Sequence, residues 1–361
     1  MSNKVLISAE FVSNNSKNVF LGNDNEIEKA ASFILKGCEN RMKISLKFCD
    51  LLGMEEQKYS PKTWRDHKLH PQELNFETVD FIFFLDLMNF SFWSESDVLF
   101  TVKYKGVPYT GYWSLCALIH RSLDEGKNII NANFMKNVTR EELKYIFRSD
   151  TECDISLFEE RLKSINDAGK ILVEKFDGTF VNVIKLAEGS CKTLIQLVCE
   201  NFYTFNDTSI YQSEKVYIYK RVQILVADLW ACFEGAKGSP GYFYDLEEIT
   251  MFADYRVPQA LIYLGLIKYS NSLLNKLRLP FPENILEKDS ELEIEIRMVS
   301  IWSVEMVKRQ MVKVLKSQQA STVEAKNINS ILIDFYIWDL AKRNQNAMKE
   351  IPIHKCRTVF Y

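Results

Sequence analysis

Across Asn327 to Arg343, Ile331, Asp334 and Trp338 recur at helical spacing, so a helix through them carries a carboxylate on its apolar stripe. Solvated aspartates avoid that face. A carboxyl held there loses water, and its pKa rises unless a cation or N–H donors compensate. Such a group is suited to proton transfer or to offsetting positive charge in a transition state. Asp339 has Arg343 four residues on, the spacing of an ordinary surface pair, and stands as a second candidate.

Other residues able to do chemistry fall in three stretches. The run from Phe81 to Trp93 sets Asp86 and Asn89 in the most aromatic window of the chain. It reads either as a core segment in which Asn89 caps a turn or as the wall of a flat-ligand pocket made by Phe90, Phe92 and Trp93. In Met251–Gln259, Asp254 stands two residues before Arg256, and Pro258 biases Val257 away from helical geometry; a structural ion pair and a functional one are both open. His67 and His70 lie in the polar stretch Trp64–Pro71, where loop histidines bind ligands or stay idle, whereas His120 reads as a packing residue on a helix.

The elements that must position these residues are mostly helical. Thr139–Glu142, Ser156–Glu159, Asp245–Glu248 and Ser290–Glu293 match capping boxes, and Gly126 and Gly169 follow helical stretches at positions suited to left-handed C-terminal caps. Ile218, Val222, Leu225, Val226 and Leu229 trace one long amphipathic helix. The clear strand signal is Val98–Tyr104, which with Lys105-Gly106 predicts a small hairpin. Ala236–Gly241 and Leu279–Pro282 are the strongest breakers, and helical pattern resumes soon after each. The reading is an N-terminal extension over residues 1–25, whose Asn-rich stretch Asn14 to Asn25 is expected at the surface, and a single, mainly α-helical body over residues 26–361.

A chain of 361 residues that is 47% apolar can build a substantial core, which excludes disorder and coiled coil. The net charge of −3, with neither sign gathered into a block, disfavours duplex nucleic acid as a partner, although a ligand with one phosphate needs only a few local donors. The eight cysteines show no C-x-x-C pair and sit among apolar residues, as buried thiols of a reducing, cytoplasmic setting would. The four histidines lack zinc-site spacing and no phosphate-binding glycine motif occurs, so neither metal nor cofactor is expected. The short apolar run Val5–Ile7 is too little for a secretory signal, and no stretch is long enough for a membrane span.

Several long motifs, taken in order, resemble the queuosine salvage proteins: LDLMNFSFW at Leu85–Trp93, YTGYWSLCALIHRSLDEG at Tyr109–Gly126, MFADYRVPQ at Met251–Gln259 and DFYIWDL at Asp334–Leu340. FRSDTE at Phe147–Glu152, ILVADLW at Ile224–Trp230 and IPIHKCR at Ile351–Arg357 extend the likeness over nearly the whole chain. The resemblance implies a helical fold similar to helix-hairpin-helix DNA glycosylases, with hydrolysis of queuosine 5′-phosphate to queuine, salvaged for tRNA modification, and ribose 5-phosphate. It places the catalytic role on Asp334 or Asp339. His67, Asn89, Phe90, Trp93, Tyr244, Asp245, Asp254, Arg256 and Trp338 become substrate-binding residues, with Asp245 and His67 holding the base. Arg256 and Lys220 or Arg221 become candidates for the 5′-phosphate.

Two other functions fit the same residues. One is a helical module that binds queuine or a related base without cleaving anything, distinguished by an intact nucleotide after incubation. The other is a nucleic-acid glycosylase acting on a flipped base, which the absence of a basic stripe opposes.

Overall fold

The computed structural model describes residues 2–36, 62–95, 97–317 and 328–361; Cys38 and Cys49 lie outside these. The described chain is mainly helical, with four two-stranded sheets, and it divides into two compact units. The first comprises Met1–Ser60, Thr208–Lys220 and Leu246–Cys356; the second comprises Pro61–Asp207, Arg221–Asp245 and Arg357–Tyr361.

In the first unit the helix Ser2–Asn15 lies on the long helix Glu291–Ser317 because Val5, Ala9 and Val12 recur at four and three and are all buried. The strand Val19–Leu21 then pairs antiparallel with Ile267–Tyr269. The helix and strand within the N-terminal extension are thus packed into this unit. Apolar spacing outweighs the Asn-rich composition beside it. Glu295 secures the join by accepting the Asn18 N–H (3.0 Å) and the Tyr211 hydroxyl (2.9 Å).

The late helix Ser330–Arg343 packs against Val257–Tyr263 and Glu291–Ser317. Asn329 starts it by accepting the Leu332 N–H at 3.0 Å, the N-cap bond that satisfies one orphan amide. Ile331, Asp334 and Ile337 all point into the packed side and are buried.

In the second unit, Phe76–Leu87 is buried nearly all round and stops at Leu87, so Met88–Trp93 continues as irregular chain. The carbonyls left open at this helix end are taken by two buried guanidinium groups. Arg221 donates to Asp86 (2.9 Å), Leu87 (2.6 Å) and Thr204, and Arg161 to Met88 (2.7 Å), Phe90 and Ser156 (2.9 Å). The predicted hairpin forms, as Thr101–Tyr104 paired with Val107–Thr110; Lys105 and Gly106 supply the two positive φ angles a two-residue turn needs. Val98 and Leu99 precede the strand and are exposed.

The capping boxes divide. Thr139 and Ser290 accept the N–H three residues on, at 3.2 and 3.4 Å. Ser156 does not cap: its hydroxyl donates to the Ser91 carbonyl, and the helix Phe158–Lys175 begins after Leu157 in the left-handed conformation. Asp245 caps a different helix, described below. Gly126, at φ +75°, ends Tyr112–Asp124 as expected, but Gly169 lies inside Phe158–Lys175. There the absent side chain lets Ala132–Asn137 approach, and a Cβ would come within 2.3 Å of the Lys136 nitrogen and 2.7 Å of the Ala132 oxygen. Because both obstacles are backbone, Gly169→Ala is expected to cost about 1–3 kcal/mol. A lower urea midpoint with unchanged slope checks this.

Candidate functional site

Asp334 is 4% exposed, and its Oδ1 accepts one backbone N–H, from Phe252, at 3.0 Å. Burial is the main reason its pKa rises, from an ordinary 3.8 to about 8. The Phe252 N–H and the positive charge of Lys220 pull it down, while the negative charge of Asp254 pushes it up. A carboxyl in a dry setting, acted on by both a cation and an anion, is poised to change charge near neutral pH.

The segment before Val257–Tyr263 supplies two of these partners. Asp254, half-buried, folds its Oδ1 back onto the N–H groups of Arg256 and Val257, both at 2.7 Å, as an N-terminal cap. Asp254 thus bonds backbone, while Arg256 is exposed and lies 6.0 Å from the Tyr255 ring. Lys220, 5% exposed, is the cation of the cluster. Phe335 on the late helix meets Phe252 with ring centroids 6.3 Å apart.

Asp339 has a different environment. Five residues beyond Asp334, it sits about 140° further round the helix, by a rotation of ~100° per residue, and is half-exposed. Arg343 Nε donates to its backbone carbonyl at 3.3 Å. Trp338 is half-exposed with Lys342 Nζ 4.0 Å above its ring.

The remaining candidates lie in the second unit. His67 stacks on Trp113 with centroids 3.5 Å apart, and its Nδ1 accepts the Leu69 N–H at 3.2 Å. His70 is buried, stacked on Trp64 at 3.8 Å and bonded to the Tyr112 hydroxyl at 2.8 Å; burial pushes its pKa down to about 4, so it is neutral. Trp64 Nε1 in turn donates to buried Asp228 at 3.0 Å. His120 bonds the Leu69 carbonyl at 2.9 Å, the satisfied packing residue expected.

Asn89 donates to Asp86 at 3.3 Å, and Phe90 is buried with Arg161 4.0 Å and Arg221 4.9 Å from its ring centre. Trp93 is covered by Arg357 at 3.5 Å, which also pairs with Glu95 at 2.9 Å. Tyr244 is exposed. Asp245, expected to open its own helix, caps Cys191–Asn201 instead. Its carboxylate accepts from the Ser190 hydroxyl (2.7 Å) and the Cys191 N–H (2.7 Å), and these donors hold its pKa low against the opposing effect of burial. Only a three-residue 3₁₀ turn follows it. Arg221 is corrected as a phosphate candidate, because its guanidinium is enclosed and committed to carbonyls.

The structure therefore brings Asp334, Asp254 and Lys220 together in one unit, and it sets His67, Asn89, Phe90, Trp93, Tyr244 and Asp245 in the other. Lys220 as a partner of Asp334 escaped the sequence reading, since 114 positions part them. Trp113 escaped it too. Among the described residues, no group of three or more His, Cys, Asp or Glu is arranged to hold a metal ion.

The chain is mainly helical, and its late helix buries an aspartate on whose charge a lysine and a second aspartate both act. The chain belongs to the queuosine salvage protein family, whose pattern matches residues 69–361. It is 40% identical to the queuosine 5′-phosphate N-glycosylase/hydrolase of Nematostella vectensis over the full length of both chains. It is 39% identical to the Mus musculus protein of the same name over 98% of this chain and 97% of that one, and 36% identical to that of Schizosaccharomyces pombe over 99% of each.

Proposed function

We propose that this chain hydrolyses the N-glycosidic bond of queuosine 5′-phosphate, releasing queuine for salvage into tRNA, and that Asp334 is its catalytic carboxylate. Full-length identity to relatives of that name supports the substrate. The single observation that carries the mechanism is the buried Asp334 carboxyl, which takes the Phe252 N–H at 3.0 Å and whose charge Lys220 and Asp254 influence. As the ribose C1′–N bond breaks, its electron pair moves onto the base and positive charge appears on the sugar. An anion in a dry setting opposes that charge strongly, because little solvent screens it. The same carboxylate orients the attacking water; water oxygen bonds to C1′, one water proton ends on the departing base nitrogen, and ribose 5-phosphate forms.

Lys220 lessens the cost of ionising Asp334, and Arg256, exposed at the neighbouring turn, is the candidate for the 5′-phosphate. The aromatic residues Trp338 and Phe335 on the same helix suit a flat 7-deazaguanine. The mainly helical build is in keeping with kinship to helix-hairpin-helix glycosylases. Six free thiols among the described residues, five of them buried, accord with a cytoplasmic setting, and no described helix is long and apolar enough to cross a membrane.

Incubation with queuosine 5′-phosphate, followed by mass spectrometry, is expected to yield queuine and ribose 5-phosphate. Because the ionised carboxyl is the working form, kcat/KM should rise with pH through about 8, the value of Asp334 in the free protein. Binding that leaves the nucleotide intact would instead identify a non-catalytic base-binding protein. A profile that falls with pH over that range would assign Asp334 the role of an acid.

A further inference from the structure

The long helix Glu291–Ser317 carries a second charged group on an apolar face. Ile294, Arg297 and Ile301 recur at three and four, and Arg297 is only 2% exposed. Its Nη1 pairs with Glu293 Oε1 one turn back at 3.1 Å, and its Nε donates to the Ala253 carbonyl at 3.1 Å. Ala253 stands between two of the residues that act on Asp334: Phe252, whose N–H bonds the carboxyl, and Asp254, whose charge opposes its ionisation. The Arg297 fork therefore grips the backbone at the one residue between both. A buried ion pair contributes little net stability, since desolvation consumes most of the attraction; a planar guanidinium bonded at two atoms does fix geometry.

We propose that Arg297, oriented by Glu293, is a positioning residue for Asp334: it holds the Ala253 carbonyl so that the Phe252 N–H stays aimed at the carboxylate. This rests on the reading of Asp334 as the catalytic carboxylate. Arg297 acts on Asp334 through the strap at residues 252–254, by its bond to the Ala253 carbonyl. The charged groups acting on Asp334 itself are Asp254 from that strap and Lys220.

The test uses the full chain with Arg297→Lys, Arg297→Met, Glu293→Gln and, for comparison, Asp334→Asn. Loosening the strap weakens the N–H bond that favours the charged form, so the acid limb of kcat/KM should move to higher pH by about half a unit to one unit. The turnover number should fall about 10- to 100-fold with KM changed little. Lysine keeps the charge without the fork and should give the smaller shift. Infrared difference titration follows the protonated Asp334 carboxyl directly, identified as the band lost in Asp334→Asn, and should show the same upward shift without any turnover. Should Arg297→Met fail to fold, Arg297→Lys and Glu293→Gln carry the same readout. A carboxyl band and pH limb superimposable on the parent in these variants would overturn the positioning role while leaving the assignment of Asp334 intact. Turnover retained in Asp334→Asn would overturn that assignment instead, and the infrared titration would still report whether Arg297 sets the state of the carboxyl.

Discussion

Asp334→Asn should lower the turnover of queuosine 5′-phosphate by a thousandfold or more, the scale seen when a buried group opposing transition-state charge is lost together with its proton-transfer role. Asp339→Asn should stay within about tenfold of the parent, because a half-exposed carboxylate is screened by water and acts weakly on a charge elsewhere. The two variants are isosteric, so the comparison separates burial from the mere presence of an acid on the helix. Equal losses in both, or a larger loss in Asp339→Asn, would reassign the catalytic carboxylate.

The same substitution has an opposite effect on stability. The native carboxyl holds its proton up to about pH 8, whereas the unfolded chain releases it near 3.8. Between those values the native state binds more protons than the unfolded state, so this group's contribution is full below 3.8 and is lost as pH rises to about 8. With ~1.4 kcal/mol per pKa unit, the loss at pH 7 is on the order of 4 kcal/mol. Asparagine carries no charge to bury and keeps an oxygen for the Phe252 N–H. Asp334→Asn should therefore melt several degrees above the parent at pH 8, with the two converging near pH 4. Parallel melting curves across that range would contradict the raised pKa.

Arg221→Met is expected to be among the most destabilising changes in the molecule. Relief of two opposing effects favours the variant: Arg221 and Arg161 repel each other, and burial has pushed both guanidinium pKa values down to about 9. Against this stand the carbonyls of Asp86, Leu87 and Thr204, which lose their guanidinium donor in a buried site. At ~1–3 kcal/mol for each such acceptor, their loss exceeds what an apolar side chain of similar length recovers, and a net cost of about 3–5 kcal/mol is expected. That is a large share of the ~5–15 kcal/mol by which domains are stable. A shift of the urea midpoint measures it, and an unchanged midpoint would mean that methionine repacks against Phe90 and Phe205 without cost.

What the sequence by itself determined is local or periodic. Helical spacing marked Ile331–Trp338 and identified Asp334 as a carboxylate on the wrong face, and Thr139, Ser290, Gly126 and the Lys105-Gly106 turn were legible because each bonds or bends within a few residues. The long motifs carried the family. Tertiary structure decided where polar side chains spend their bonds. Asp245 looked like the start of its own helix and caps another 54 positions away, Gly169 looked like a helix end and is a close crossing, and Arg221, one of the phosphate candidates that the resemblance offered, closes a helix terminus. The charge environment of Asp334 likewise comes from Lys220, Phe252 and Asp254, brought together by packing that no spacing rule records. A side chain's hydrogen-bond partner is set by whichever buried donor or acceptor would otherwise lose water without replacement, and that competition exists only once the chain has folded.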